Sequence, residues 1–342
     1  MIVKDSTNDL DNYLCNNSYK VKFYIETGMY RHDLRNPINQ LFMLRFVSLI
    51  YGFLLIFLPF YAITQTDFRV HEDSLKILSR QLPVLEEDEQ RKAANQKFRE
   101  YFEQVLGMDG SFHYSFDSLT TVSMLRSPDG RFRIISWYMP LRGDNFEYFG
   151  FFQTAESVNG VGTLIPLTDT GIRNEEPRFI SLDHEQWYGA YYSDMIHHRH
   201  NQKDLYTLLG WRGDNPLTRK RIIESLTIND QGMPVFGNQI FQYGENKNYR
   251  IIFEYSAKVS MIIRFDDYIF DGSRHSERII VFDRMAPTHS FLEGHYQFYV
   301  PEMNIFDAFR FVNGKWVFVE DIDIRNPRRR PPPRPVPPEP QQ

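Results

Sequence analysis

The chain has 342 residues, a net charge of −5 and a 15% aromatic content. Its mild acidity argues against nucleic acid as a partner, because phosphate-binding surfaces are built from clustered Lys and Arg. Its single cysteine, Cys15, excludes disulfides, thiolate catalysis and cysteine-liganded zinc for everything that follows it.

Residues 1–42 read as a polar prologue: Asn and Asp are scattered through it, periodicity is weak, and its few apolar residues have no evident partner. It reads as no folded unit and fits an over-extended start. Residues 43–65 are the most apolar run in the chain, with no charged side chain from Phe46 to Thr66. As a helix, Phe46 to Ile63 rises roughly 27 Å, close to the ~30 Å hydrocarbon core of a bilayer. A cleaved signal peptide starting at Met43 explains Arg45 as a positive n-region and Pro59 as a helix breaker. It also places the small residues Ala62 and Thr64 at −3 and −1 before Gln65. An uncleaved anchor explains the same run, with Lys4, Lys20, Lys22, Arg31, Arg35 and Arg45 keeping the leading side cytoplasmic. A buried core helix is the third reading. The first two both put residues 66–342 outside the cytoplasm, whether periplasmic, outer-membrane-associated or extracellular.

Helical spacing marks residues 70–107. Leu75, Leu78 and Leu82 recur at three and four, Pro83 interrupts, and Phe98, Phe102, Val105 and Leu106 continue a broken stripe. Glu87/Arg91 and Asp88/Lys92 stand as i,i+4 pairs, and Gly107 suits a C-cap. The spacing predicts two helices, or one kinked at Pro83, packed on the domain that follows. A coiled-coil stalk needs sustained heptads, which are missing.

From 111 to 326 the period changes to two. Candidate strands lie at 120–126, 132–137, 148–154, 162–167, 188–196, 205–211, 221–228, 235–241, 249–255, 260–265, 278–282, 296–300, 306–311 and 315–320. Ser127-Pro128-Asp129-Gly130 is a turn with a mechanism, since Pro presets φ, Asp bonds the backbone and Gly takes the positive φ. Asn313-Gly314 is the strongest short hairpin signal. The reading is a mainly β fold, an antiparallel meander preceded by one or two amphipathic helices. A sandwich, an open barrel or an incomplete propeller would all fit. The Ser-Pro-Asp-Gly turn opening a strand is similar to blades of TolB-like propellers, but it occurs once and no ~40-residue period follows. Arg142-Gly143-Asp144-Asn145 recurs as Arg212-Gly213-Asp214-Asn215, which reads as a hairpin loop used twice rather than an integrin-type motif. Residues 327–342, with Arg328, Arg329, Arg330 and Arg334 among prolines, read as an exposed polyproline tail.

The motifs of serine hydrolases, zincins, P-loops and EF-hands are absent. The best metal candidate is Asp194 with His198 and His200, since a strand points both imidazoles to one face and suits zinc or copper. Arg199 between them opposes a cation, and an exposed loop is the bland reading. Asp266, Asp267 and Asp271 before Gly272 are the candidate calcium ligands, against a solvated hairpin rim. Trp187, Tyr191 and Trp211 are candidate ligand-binding residues, a platform on which sugar rings could stack; core packing is the alternative. No spacing selects a facing carboxylate pair for glycoside hydrolysis.

A resemblance is carried by the segments Tyr206-Thr207-Leu208-Leu209-Gly210-Trp211, RIIFEYSA at 250–257, MIIRFDD at 261–267, IVFDRMAP at 280–287 and FDAFRFVNGKWVFVEDIDIRN at 306–326. Together they resemble a family of uncharacterised exported proteins of Bacteroidota-type bacteria, across roughly residues 70–326. The resemblance implies an envelope location and carries no catalytic residue. The expected function is that of a non-enzymatic envelope module binding a protein or glycan partner, with membrane contact through residues 46–63 if that run is uncleaved. A hydrolase acting on glycan or peptide is the alternative.

Overall fold

The computed structural model describes residues 68–155, 162–170, 176–244, 247–270 and 273–324, all within one unit, Ile63–Gln342. The apolar run at 46–63, the Pro/Arg tail and Asp271 lie outside the described residues. Among the described residues, no helix is long and apolar enough to cross a membrane.

Among the described residues two helices come first, α1 (68–81) and α2 (Asp88–Leu106). Proline has no amide donor and cannot continue a helical ladder, and Pro83 sits in the turn that separates them. The ion pairs of α2 are Asp88–Arg91 and Glu89–Lys92, each at 3.2 Å, so the expected i,i+4 partners give way to i,i+3 ones. Glu87 and Asp88 are drawn elsewhere, to Arg142 in the hairpin turn beyond.

The strands of the described residues form three sheets. The first is a plain antiparallel meander of β1 (Ser123–Arg126), β2 (Phe132–Leu141), β3 (Asn145–Thr154) and β4 (Leu164–Thr168). The second contains β5 (Tyr191–His200), β6 (Lys203–Arg212), β7 (Thr218–Ile228), β8 (Pro234–Phe236) and β11 (Arg250–Ser256). Its order is β11-β7-β6-β5, with β8 beside β7. The third contains β9 (Phe241–Gln242), β10 (Lys247–Asn248), β12 (Ile263–Tyr268), β13 (Glu277–Pro287), β14 (Tyr299–Val312) and β15 (Lys315–Val319). They run β10-β9-β15-β14-β13-β12, and β15 pairs β9 in parallel.

These elements stack in layers, because alternate residues of each inner strand find a different neighbour. Phe98 and Phe102 of α2 bury against Ile135, Trp137 and Phe151 of the first sheet. The opposite face of that sheet, with Phe132, Ile134 and Phe152, packs on Tyr206, Leu208 and Ile222 of the second. Leu209, Ile223 and Ile251 then meet Ile280, Phe282, Phe309 and Trp316 of the third. Burial on both faces explains why β2 reads as a nearly continuous apolar run rather than a clean alternation. The result is a stack of open sheets, with no closed barrel among the described residues.

Three local readings change. The run at 235–241 splits into β8 and β9 at Gly237, whose φ is +88° and where a Cβ would sit 2.7 Å from the Arg250 Nη2. Residues 296–298 form a 3-10 turn, and the strand starts at Tyr299. The histidine-rich segment is not a loop: β5 runs on to His200 and turns at Asn201 and Gln202, both with positive φ.

Candidate binding cleft

The ladder of the second sheet lines up three residues from three adjacent strands. Tyr191 on β5 lies opposite Trp211 on β6, and Trp211 lies opposite Arg221 on β7. Directly opposed residues project to the same side of a sheet with Cβ atoms about 5 Å apart, so the row presents two rings and a guanidinium together. Tyr138, from β2 of the first sheet, joins them. Its ring centroid is 5.8 Å from that of Tyr191 and 5.3 Å from that of Trp211. Phe146 buttresses the group edge-on at 5.5 Å from Tyr138 and 5.2 Å from Trp211.

Tyr138, Tyr191, Trp211 and Arg221 line a cleft of about 420 Å³, walled by Leu82 and Pro83 of the interhelical turn and by Thr120–Val122. That volume falls in the ~300–1,000 Å³ range of small-ligand sites. Tyr138 is 37% exposed, while Tyr191 and Trp211 are half-buried, so ring surface remains open to a ligand. Burial, and then the neighbouring Tyr138, push the Tyr191 phenol above its usual range, keeping it a neutral hydrogen-bond donor. Arg221 donates from Nε to the Met261 carbonyl at 3.0 Å. Among the described residues no carboxylate pairs with it, and its terminal nitrogens have no protein acceptor. The described lining holds rings, hydroxyls and this one charge, with no carboxylate and no imidazole.

Of the three candidate stacking residues, the cleft therefore unites Tyr191 and Trp211. Trp187 stands apart at 0% exposure in the core between the first and second sheets, donating Nε1–H to the Tyr192 hydroxyl at 3.0 Å. Nothing in the local sequence marks Tyr138 or Arg221 as a site residue. Arg221 gains its meaning only from the β6–β7 register, and Tyr138 only from the packing of one sheet beside another.

The candidate metal ligands Asp194, His198 and His200 do not gather into a ligand set. Asp194 follows a β-bulge and accepts a hydrogen bond from the Met195 amide at 2.8 Å. His198 stacks on Phe311 with centroids 3.9 Å apart and meets Trp316 edge-on. Its Nδ1 is buried without a partner, and burial pushes the imidazole down to about 4. His200 lies over Gly314, whose missing Cβ leaves it room. Among the described residues, the one group of three His, Asp or Glu residues with ligand atoms within 4.8 Å is Asp129, His197 and Asp204. Its atoms are already engaged with protein. Asp204 accepts from Arg131 at 2.8 Å and lies 2.9 Å from His197 Nε2, and Asp129 accepts the Tyr206 hydroxyl at 2.6 Å. The group ties the Ser127–Gly130 turn of the first sheet to the β5–β6 hairpin. Asp266 is occupied by Arg264 at 3.0 Å.

A second, polar cleft of about 500 Å³ lies near Arg212, Asp214 and Lys220. The Arg212 guanidinium is held between the Tyr148 and Tyr188 rings, 4.8 and 4.6 Å from their centroids, and pairs with Asp169 at 3.0 Å and Asp214 at 2.5 Å. Lys220 reaches Asp214 at 2.7 Å. Burial disfavours the Asp214 charge, yet Arg212 and Lys220 outweigh it and hold the carboxyl below its usual range. These charges satisfy one another, so the network fixes the β6–β7 connection and offers little to a ligand. The repeated Arg-Gly-Asp-Asn segments thus serve two hairpin connections in unlike surroundings, one exposed at Arg142 and one buried at Arg212.

No protein-family model, no curated protein and no solved structure matches the chain.

Proposed function

We propose that this protein is an exported envelope component whose folded part is a non-catalytic binding module, with a glycan partner seated in the Tyr138–Tyr191–Trp211 cleft. The observation that carries the reading is the convergence of those three rings from two sheets onto one open cleft. Aromatic faces offer large, rigid, amphipathic contact area at low entropic cost, and sugar C–H faces are complementary to them. Hydroxyls from Thr120, Thr121 and Ser193 rim the same space and suit a polyhydroxylated ligand. Binding is preferred to hydrolysis because glycoside cleavage needs two facing carboxyl groups, and the described lining supplies none. The apolar run at 46–63 is what supports export.

The test is a titration of the full chain against an oligosaccharide panel, followed by intrinsic tryptophan fluorescence or calorimetry. At least one glycan binds, and Trp211→Ala and Tyr191→Ala each weaken it by about 10-fold or more, as expected when a stacked ring worth ~1–3 kcal/mol is lost. Unchanged affinity in Trp211→Ala would overturn the site.

A further inference from the structure

We infer that the cleft selects an anionic glycan, one whose sugar carries a carboxylate or sulfate that Arg221 receives. The inference rests on the glycan reading above and sharpens it. Its basis is a contrast along a single strand. Three consecutive cationic residues, Arg219, Lys220 and Arg221, sit on β7. Arg219 lies 3.8 Å from the Asp144 carboxylate, and Lys220 lies 2.7 Å from that of Asp214. Arg221 has no carboxylate among the described residues, although it is half-buried beside Trp211. Arg212 is neutralised by Asp169 and Asp214, Arg250 by Glu224 and Arg310 by Glu277, and Arg133, buried without a carboxylate, has its fork taken up by Gln153 and the carbonyls of Tyr114 and Ser111; the terminal nitrogens of Arg221 have no such acceptor among the described residues.

Geometry adds to the charge argument. The Met261 carbonyl fixes Nε at 3.0 Å, which orients the planar fork and leaves its terminal N–H groups for another acceptor. A guanidinium matches an oxyanion bidentately, and such charge-assisted bonds are stronger in a partly desolvated site. Arg221 is the one charged side chain among the described lining, so no competing anion has to be displaced. A neutral sugar would cover the guanidinium without replacing the water it loses. An acidic sugar would stack its ring on Trp211 and Tyr191 while placing its anion against Arg221 in the same row.

The experiment uses three matched oligosaccharides: a hexuronate-containing chain, the same chain with its carboxylates reduced to hydroxymethyl groups, and a sulfated neutral chain. Calorimetry with the full protein is expected to give about 10- to 100-fold tighter binding for an acidic chain than for the reduced one, the range of a charge-assisted pair. The carboxylated and sulfated arms tell which anion the fork prefers. Arg221→Gln removes most of that preference, and Arg221→Lys, which keeps the charge but not the fork, retains part of it. Trp211→Ala weakens acidic and reduced chains alike. Equal binding of acidic and reduced chains by the native protein overturns the anion inference and leaves the glycan site standing. A preference that survives Arg221→Gln overturns it too. If none of the three chains binds, both readings fall.

Discussion

Tryptophans 187 and 211 show how much one residue's surroundings decide. Both were candidates for a stacking platform, yet Trp187 is sealed at 0% exposure and Trp211 borders a cleft. Trp187→Ala should cost about 3–5 kcal/mol of stability, because it deletes a buried ring and leaves a cavity. Trp211→Ala should instead act mainly on ligand binding, so urea denaturation of the two variants separates a core role from a surface one. Strand alternation had no grip on Trp187, which lies outside the named strands and meets Asp169 through an isolated bridge. His198 gives a second residue-level test. Burial is the largest influence on its imidazole and lowers it from 6.5 to about 4, so the folded protein keeps it neutral where the unfolded chain protonates. Between those values the unfolded state binds more protons, so this residue's contribution is fully present above pH 6.5 and is lost as pH falls toward 4. His198→Phe fills the same stack against Phe311 without an unpartnered Nδ1 and should flatten that part of the stability–pH curve. A thermal-melt series from pH 4 to 7 reads the difference, and identical slopes would refute the assignment.

At the scale of elements, the period-two runs, the break at Pro83 and the Asn313-Gly314 turn were legible, because each is a local property of a few residues. Asn313 and Gly314 take φ of 50° and 79°, the pair of positive values that a two-residue turn between twisted strands requires. What stayed hidden depends on partners far along the chain. Arg250 is the example: on β11 it opposes Glu224 of β7, donates from Nε to both carboxylate oxygens at 3.1 and 2.9 Å, and reaches the carbonyls of Pro177, Ile180 and Phe236. Both side chains are fully buried. Nothing local marks such a pair, since an arginine in an apolar strand reads as an edge or an end. Arg250→Met should cost about 3–5 kcal/mol by stranding a carboxylate and several carbonyls in the core. Adding Glu224→Leu should recover part of that loss, and chemical denaturation of the single and double variants measures the coupling.

For the whole molecule, the helical-then-β order was legible, whereas the stacking of three sheets was not. Alternation says that a strand has two faces but not what covers each one, and β2 and β6 turn out to have both covered. The cleft shares this limit: Tyr138 and Trp211 are 73 positions apart in sequence and meet only because two sheets converge beside the interhelical turn. The proposed export concerns the chain as a whole and is tested as one. Expressed from its natural gene in a bacterium with an envelope, the product should fractionate with the envelope or the medium. Intact mass then separates an N-terminus near Gln65, for a cleaved signal, from a retained Met1 or Met43, for an anchor. A cytosolic product would end the proposal.

The parallel contact between β15 and β9 carries a consequence for the order of assembly. Trp316 of β15 is fully buried between the second and third sheets, pairs with Phe241 across a long stretch of chain, and donates its indole N–H to Thr207 Oγ1 at 2.9 Å. The last strand described is thus inserted into the interior of its sheet, between β9 and β14. A nascent polypeptide that has not yet delivered residues 315–319 has a gap in the middle of its third layer. Closure of the third layer therefore waits for the last strand described, and until it arrives the fold remains unlatched.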